Sequence, residues 1–137
     1  MRYLGLDLGT KTLGLAISDK LGTISSPYKV LRYSDINLLI EELLKIINEK
    51  EIDELVLGLP KNMNGSLGFA AERSTQFKEL LETKTNMPIH LVDERLSTVE
   101  AERVLIAADI SRKKRKTVID GMAASIILDT YLNMKGR

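Results

Sequence analysis

The 137-residue chain is one domain's worth of polypeptide, and its 44% hydrophobic and 28% charged residues exclude a disordered chain. It has no cysteine and a single histidine, His90, which excludes a disulfide framework, a thiolate metal site, a cysteine nucleophile and a histidine-rich zinc site. The net charge of +1 hides a split: residues 1–111 hold 13 Lys/Arg against 17 Asp/Glu, whereas residues 112–137 hold 7 against 2.

Tyr3–Leu8 alternates, with Leu4, Leu6 and Leu8 on one face and Tyr3, Gly5 and Asp7 on the other, which predicts a strand. Tight links at Gly9-Thr10-Lys11-Thr12 and Asp19–Gly22 lead into strands over Leu13–Ser18 and Thr23–Leu31, most simply an antiparallel meander. Ser34 is the expected N-cap of a helix to about Lys50, with an apolar stripe from Ile36 to Ile47. Glu54–Leu59 is a short strand stopped by Pro60, and the loop Lys61–Gly65 precedes a helix carrying Ala70, Phe77, Leu80 and Leu81. Ile89–Asp93 is another strand, and Ser97-Thr98-Val99-Glu100 has the spacing that starts a further helix. The last helix is expected to open at Thr117, after the basic run, and to pack through Ile119, Met122, Ala123, Ile126, Ile127 and Tyr131. Strands separated by helices need parallel crossovers, so the order predicts one α/β domain over residues 1–137, a mixed sheet with helices on its faces. The first residues lack the features of a signal peptide, and no apolar stretch is long enough to span a bilayer. Together with the missing cysteines, this gives the expectation of a cytoplasmic protein without membrane attachment.

Five groups of residues carry potential chemistry. Asp7 is a carboxylate inside an apolar strand, where burial without a partner is costly. It either caps the following turn or serves metal or phosphate chemistry at a strand end. The turn itself is not a Walker A loop, because the glycine spacing is wrong and a strand follows. Asp93-Glu94-Arg95 ends a strand, and since neighbours point to opposite faces, only one of Asp93 and Glu94 can share the side of Asp7. Taken alone, that cluster reads as a solvated loop start.

Asp120 has Ala123, Ala124 and Ile127 as its helical neighbours, which sets it on a packed flank. As the fourth residue of Thr117-x-x-Asp120 it also reads as a carboxylate at a helix N-terminus. Arg112-Lys113-Lys114-Arg115-Lys116 is either a solvated loop or a phosphate-binding run that would make affinity salt-dependent. With 4% aromatic residues, a base-stacking platform for single strands is not expected. Asn62 and Asn64 lie in a loop at a strand end, where ligands bind in α/β sheets, although an ordinary Asn-Gly turn is the better reading of them without context. His90 reads as a packed or surface histidine.

In order along the chain, Gly5-Leu6-Asp7-Leu8-Gly9-Thr10-Lys11-Thr12-Leu13-Gly14-Leu15-Ala16, Gly58-Leu59-Pro60 with Asn62-Met63-Asn64-Gly65-Ser66, Asp93-Glu94-Arg95-Leu96-Ser97-Thr98 and Asp120-x-x-Ala123-Ala124 resemble the YqgF (RuvX) family of the RNase H-like superfamily. The resemblance covers nearly the whole chain. It implies an RNase H-like α/β fold, with a five-stranded mixed sheet in which an antiparallel meander is joined by two parallel strands. It implies an endonuclease dependent on Mg²⁺ or Mn²⁺, acting at the 5′ end of pre-16S rRNA, with Holliday junction resolution on branched DNA as the alternative. Carried over by motif, Asp7, Asp93, Glu94 and Asp120 form the acidic site, with Asp7, Glu94 and Asp120 as metal ligands. Lys11, Asn62, Asn64, Arg95 and the run Arg112, Lys113, Lys114, Arg115 and Lys116 are then expected to contact nucleic acid.

The oxygen-only donor set suits magnesium, and two such ions would supply both charge neutralisation and an activated water. Two departures from RuvC stand out. The end of the fourth strand, Leu57-Gly58-Leu59-Pro60, carries no acid, and Thr117 stands where RuvC has a second aspartate three residues before the last. These departures motivate a competing reading, a non-catalytic nucleic-acid-binding or ribosome-assembly module. A phosphate-binding ATPase of the actin and sugar-kinase kind shares Asp7-x-Gly9-Thr10, but needs two such domains. Structured RNA is the expected partner, with possible association to the ribosome; the oligomeric state stays open.

Overall fold

The computed structural model describes residues 1–60, 68–93 and 112–135, with the side chains of the last segment described from Met122 onward. Strands β1 (Tyr3–Leu8), β2 (Thr12–Ser18) and β3 (Ser25–Arg32) form the expected meander, followed by α1 (Ile36–Glu49), β4 (Glu54–Leu59), α2 (Phe69–Glu82), β5 (Ile89–Asp93) and α3 (Arg112–Lys135). The sheet order is β3-β2-β1-β4-β5, with β1–β2 and β2–β3 antiparallel and β1–β4 and β4–β5 parallel. The helix expected to start at Ser97 lies outside the described residues.

Strand alternation divides the core in two. Leu4, Leu6 and Leu8 of β1 join Leu13, Leu15, Leu55 and Leu57 beneath α1 and α2. Tyr3, Ala16, Val56 and Val92 form the other layer, beneath Ala124, Ile127, Leu128 and Leu132 of α3. β1 is therefore buried on both faces, as the central strand of a sheet covered on both sides must be. α1 buries Leu39, Ile40, Leu43, Ile46 and Ile47, the stripe expected from its period. Its N-cap is Asp35, one residue later than Ser34, with the Asp35 carboxylate accepting from the Asn37 amide at 2.8 Å. In α2 the buried positions are Ala71, Ser74, Phe77 and Leu81, and Ala70 is exposed.

The largest difference from expectation is the start of α3. The basic run Arg112–Lys116 belongs to the helix and does not precede it as a loop. Lys and Arg are good helix formers, and no Gly or Pro interrupts the chain before Gly121, so nothing stops the helix there. Thr117 therefore opens no helix. Asp120 lies more than two turns inside, which removes its reading as a carboxylate at a helix N-terminus.

Candidate active site

Asp7 sits at the C-terminal end of β1, half-buried in a strand whose other residues are fully buried. It pairs with Gly14 across the antiparallel β1–β2 ladder. On the other side Leu6 is opposite Leu57, so continuing the parallel register by one residue puts Asp7 beside Gly58, which in turn is opposite Val92 of β5. Alternation places Asp7, Gly14 and Gly58 on the face of Gly5, Ala16 and Val56, the face covered by α3. The row across the sheet thus reads Gly14–Asp7–Gly58–Val92, a carboxylate flanked on both sides by residues without side chains. Glycine inside a strand commonly marks close approach by a ligand or another segment of backbone.

The close approach of α3 fixes which helix residues descend toward this row. Tyr131 packs on Tyr3, their ring centroids 5.7 Å apart. A Cβ built on Gly5 would stand 2.9 Å from both the Ala124 carbonyl oxygen and Leu128 Cβ, so only a glycine lets the helix come this near. α3 therefore runs antiparallel to β1, passing Gly5 and then Tyr3. Four further helical residues cover about 6 Å, close to the two strand residues from Gly5 to Asp7. The backbone of Asp120 lies at that point, four residues before Ala124.

Asp93 falls on the other side. Its neighbour Val92 is buried under α3, whereas Asp93 is exposed and shares the opposite face with Ile89 and Leu91. The structure therefore brings Asp7 to the α3 face and does not bring Asp93 there. Glu94, Arg95, Asn62 and Asn64 lie outside the described residues, as do the side chains of Arg112–Lys116 and Asp120. Lys11 is exposed in the turn that follows Asp7. Among the described residues, no group of three or more His, Cys, Asp or Glu is arranged to hold a metal ion.

His90 is engaged in packing. Its Nε2 is 2.5 Å from Glu54 Oε1, and its ring stacks on Tyr131 with centroids 4.7 Å apart at 24°. Burial, followed by the nearby Glu54 charge, raises the pKa of the Tyr131 phenol, which α3 itself carries. Sequence reasoning missed Tyr33, whose hydroxyl donates to the Gly9 carbonyl at 2.5 Å. A lone tyrosine after a strand carries no signal that it reaches another turn.

The RuvX family model, described as Holliday junction resolvase, matches residues 1–134. A protein of Geobacillus sp. (strain WCH70) is 54% identical over 142 residues, covering 98% of this chain and 99% of the relative. One of Bacillus subtilis (strain 168) is 50% identical over 135 residues, covering 97% and 98%. Both carry the name "Putative pre-16S rRNA nuclease". Among solved structures, Thermus thermophilus RuvC in complex with a Holliday junction substrate superposes with a TM-score of 0.62 at 14% identity, covering 98% of this chain and 96% of that one. The fowlpox virus Holliday junction resolvase gives 0.54 at 14%, covering 98% and 99%. At such identities the likeness shows a shared fold. The family match along almost the entire chain, with relatives at about half identity, makes this protein a member of the RuvX family, built on the fold that RuvC also uses.

Proposed function

We propose that the chain is a metal-dependent nuclease that hydrolyses phosphodiester bonds in processing the 5′ end of pre-16S rRNA. The observation that carries this reading is the Gly14–Asp7–Gly58 row on the α3 face, a half-buried carboxylate flanked by two glycines at the end of the central strand. The names borne by its relatives supply the substrate. Asp7, Asp120 and Glu94 would hold the metal, an all-oxygen donor set that fits Mg²⁺ or Mn²⁺ in a chain without cysteine. Strand alternation favours Glu94 over Asp93, because Asp93 faces away from Asp7. β5 stands about 9.6 Å from β1, two ladder spacings away, and the longer glutamate side chain suits that gap.

Bound divalent ions would neutralise charge at the scissile phosphate and supply a hydroxide near neutral pH. The protein's own contribution is positional. β1 presents Asp7 at a rigid strand end, Lys11 and Arg95 contact the phosphate beside it, and Asn62, Asn64 and Arg112–Lys116 contact the flanking backbone. Among the described residues no helix is long and apolar enough to cross a membrane. We take the site of action to be the cytoplasm, on ribosomal precursor particles.

The test is to incubate the purified protein with RNA fragments spanning the 5′ end of pre-16S rRNA, in Mg²⁺ or Mn²⁺, beside an Asp7→Asn variant. Metal-dependent cleavage by the wild type and its loss in the variant are expected. Cleavage undiminished in Asp7→Asn would refute the site. A second reading, resolution of four-way DNA junctions, is favoured by the description of the family, so a junction belongs in the same assay. Salt-dependent binding with no turnover on either substrate would favour the non-catalytic module.

A further inference from the structure

The turn that follows Asp7 is held from outside its own hairpin. Gly9 and Thr12 close it, the Gly9 amide donating to the Thr12 carbonyl at 2.8 Å. Tyr33, one residue beyond β3, then grips the turn twice. Its backbone amide donates to the Lys11 carbonyl at 3.0 Å, and its phenol hydroxyl donates to the Gly9 carbonyl at 2.5 Å. The Tyr33 ring packs against the core layer beneath α1 and α2, so the hydroxyl is delivered from a fixed base. Thr10, between the two gripped carbonyls, and Lys11 remain exposed. Gly9 is two residues beyond Asp7, and the grip therefore sets the end of β1 as well as the direction of Lys11.

We propose that Tyr33 is a positioning residue for the nuclease reaction, holding the Gly9–Thr12 turn so that Asp7 and Lys11 meet metal and phosphate in one geometry. The inference rests on the nuclease reading and adds to it a residue that touches neither substrate nor metal. Burial raises the Tyr33 phenol pKa, against the opposing positive charge of Arg73, so the hydroxyl keeps the proton it donates throughout the neutral range. Nothing in the packing of the ring requires that hydroxyl. An interior tyrosine that served only to fill space would be replaced by phenylalanine without consequence for a site on the next turn.

Tyr33→Phe keeps the ring and deletes the bond to Gly9. Two measurements test it: Mn²⁺ titration of the purified protein by calorimetry, and steady-state cleavage of the pre-rRNA fragment. Losing a hydrogen bond of ordinary net size predicts Mn²⁺ affinity about five-fold weaker. KM is expected to rise through Lys11 and kcat at saturating metal to fall through Asp7. Leu44→Ala is the control, because Leu44 packs against the same core layer from the second half of α1 and lowers stability without touching the turn. It should leave Mn²⁺ affinity unchanged. Equal affinity and kinetics in Tyr33→Phe and wild type would overturn the role of Tyr33 while leaving the nuclease reading intact. Loss of Mn²⁺ affinity in Leu44→Ala to the same degree would overturn it too, as a general stability effect. If the wild type itself neither bound Mn²⁺ nor cleaved, the nuclease reading would fall, and this inference with it.

Discussion

Replacing Gly5 by alanine tests the tightest packing in the molecule. The added methyl would stand 2.9 Å from the Ala124 carbonyl oxygen and 2.9 Å from Leu128 Cβ, while its 3.6 Å distance to Ala16 Cβ is ordinary contact. Carbon atoms rest at about 3.5–4.0 Å, so the Leu128 contact is short by more than half an ångström. Neither neighbour is the free end of a flexible side chain, and relief requires α3 to retreat from β1. Such overpacking costs about 1–3 kcal/mol. The alanine returns about 0.4–1 kcal/mol by stiffening the unfolded chain. A net loss of about 1–2 kcal/mol remains, equivalent to roughly 3–8 °C in melting temperature for a chain of this size. Urea and thermal unfolding followed by circular dichroism measure it. Because the same helix carries Asp120 one turn beyond Ala124, cleavage should fall by more than the loss of folded protein explains. Leu128→Gly in the Gly5→Ala background removes the obstructing Cβ, so the double-mutant cycle should show a favourable coupling of about 0.5 kcal/mol or more. An unchanged melting temperature together with strict additivity would refute the close approach.

Two further predictions concern the opposite end of β1. Ser18 is 3% exposed, and its hydroxyl accepts from the Tyr3 amide at 2.8 Å and donates to the Asp19 carbonyl at 2.9 Å. Ser18→Ala leaves that buried amide without its acceptor and should cost about 1–3 kcal/mol in urea unfolding; a change within error would show that another acceptor takes over. Asp19 accepts from the amides of Ile24 and Thr23 and from the Thr23 hydroxyl, and these bonds lower its pKa to about 2 from the ordinary 3.8. The folded state therefore favours the ionised carboxylate: this contribution is complete above about pH 4, lost as the pH falls toward 2, and removed by Asp19→Asn. Unfolding curves of the two proteins that stay parallel from pH 5 to pH 2 would contradict it.

The reach of local patterns is visible in individual elements. The alternation of β1, the stripe of α1 and the short strands β4 and β5 were legible because side-chain period is a property of a few neighbouring residues. The N-cap of α1 shifted from Ser34 to Asp35 because both residues can cap and only the chain's path selects one. The start of α3 was misread for a different reason. A run of like charges resembles a loop in composition, yet its residues are good helix formers, and helix continuity decides. Asp7 stands out in the sequence because a lone carboxylate in an apolar strand is conspicuous. Its surroundings do not, because Gly14 and Gly58 become its neighbours only through strand register.

The sequence by itself determined the order of the described strands and helices and the two-faced character of β1, which follow from residue types at short spacing, and its motifs carry the resemblance to the family to which the chain belongs. The charge split along the chain was likewise visible in it, as a basic segment before Asp120. The tertiary structure alone decided that Asp93 faces away from Asp7 and that Tyr33 reaches across to Gly9. Each depends on which face of the sheet meets α3 and on how strands distant in sequence align. Those matters are settled by packing over the whole core, through contacts such as Gly5 against Ala124 and Leu128, which no local period encodes.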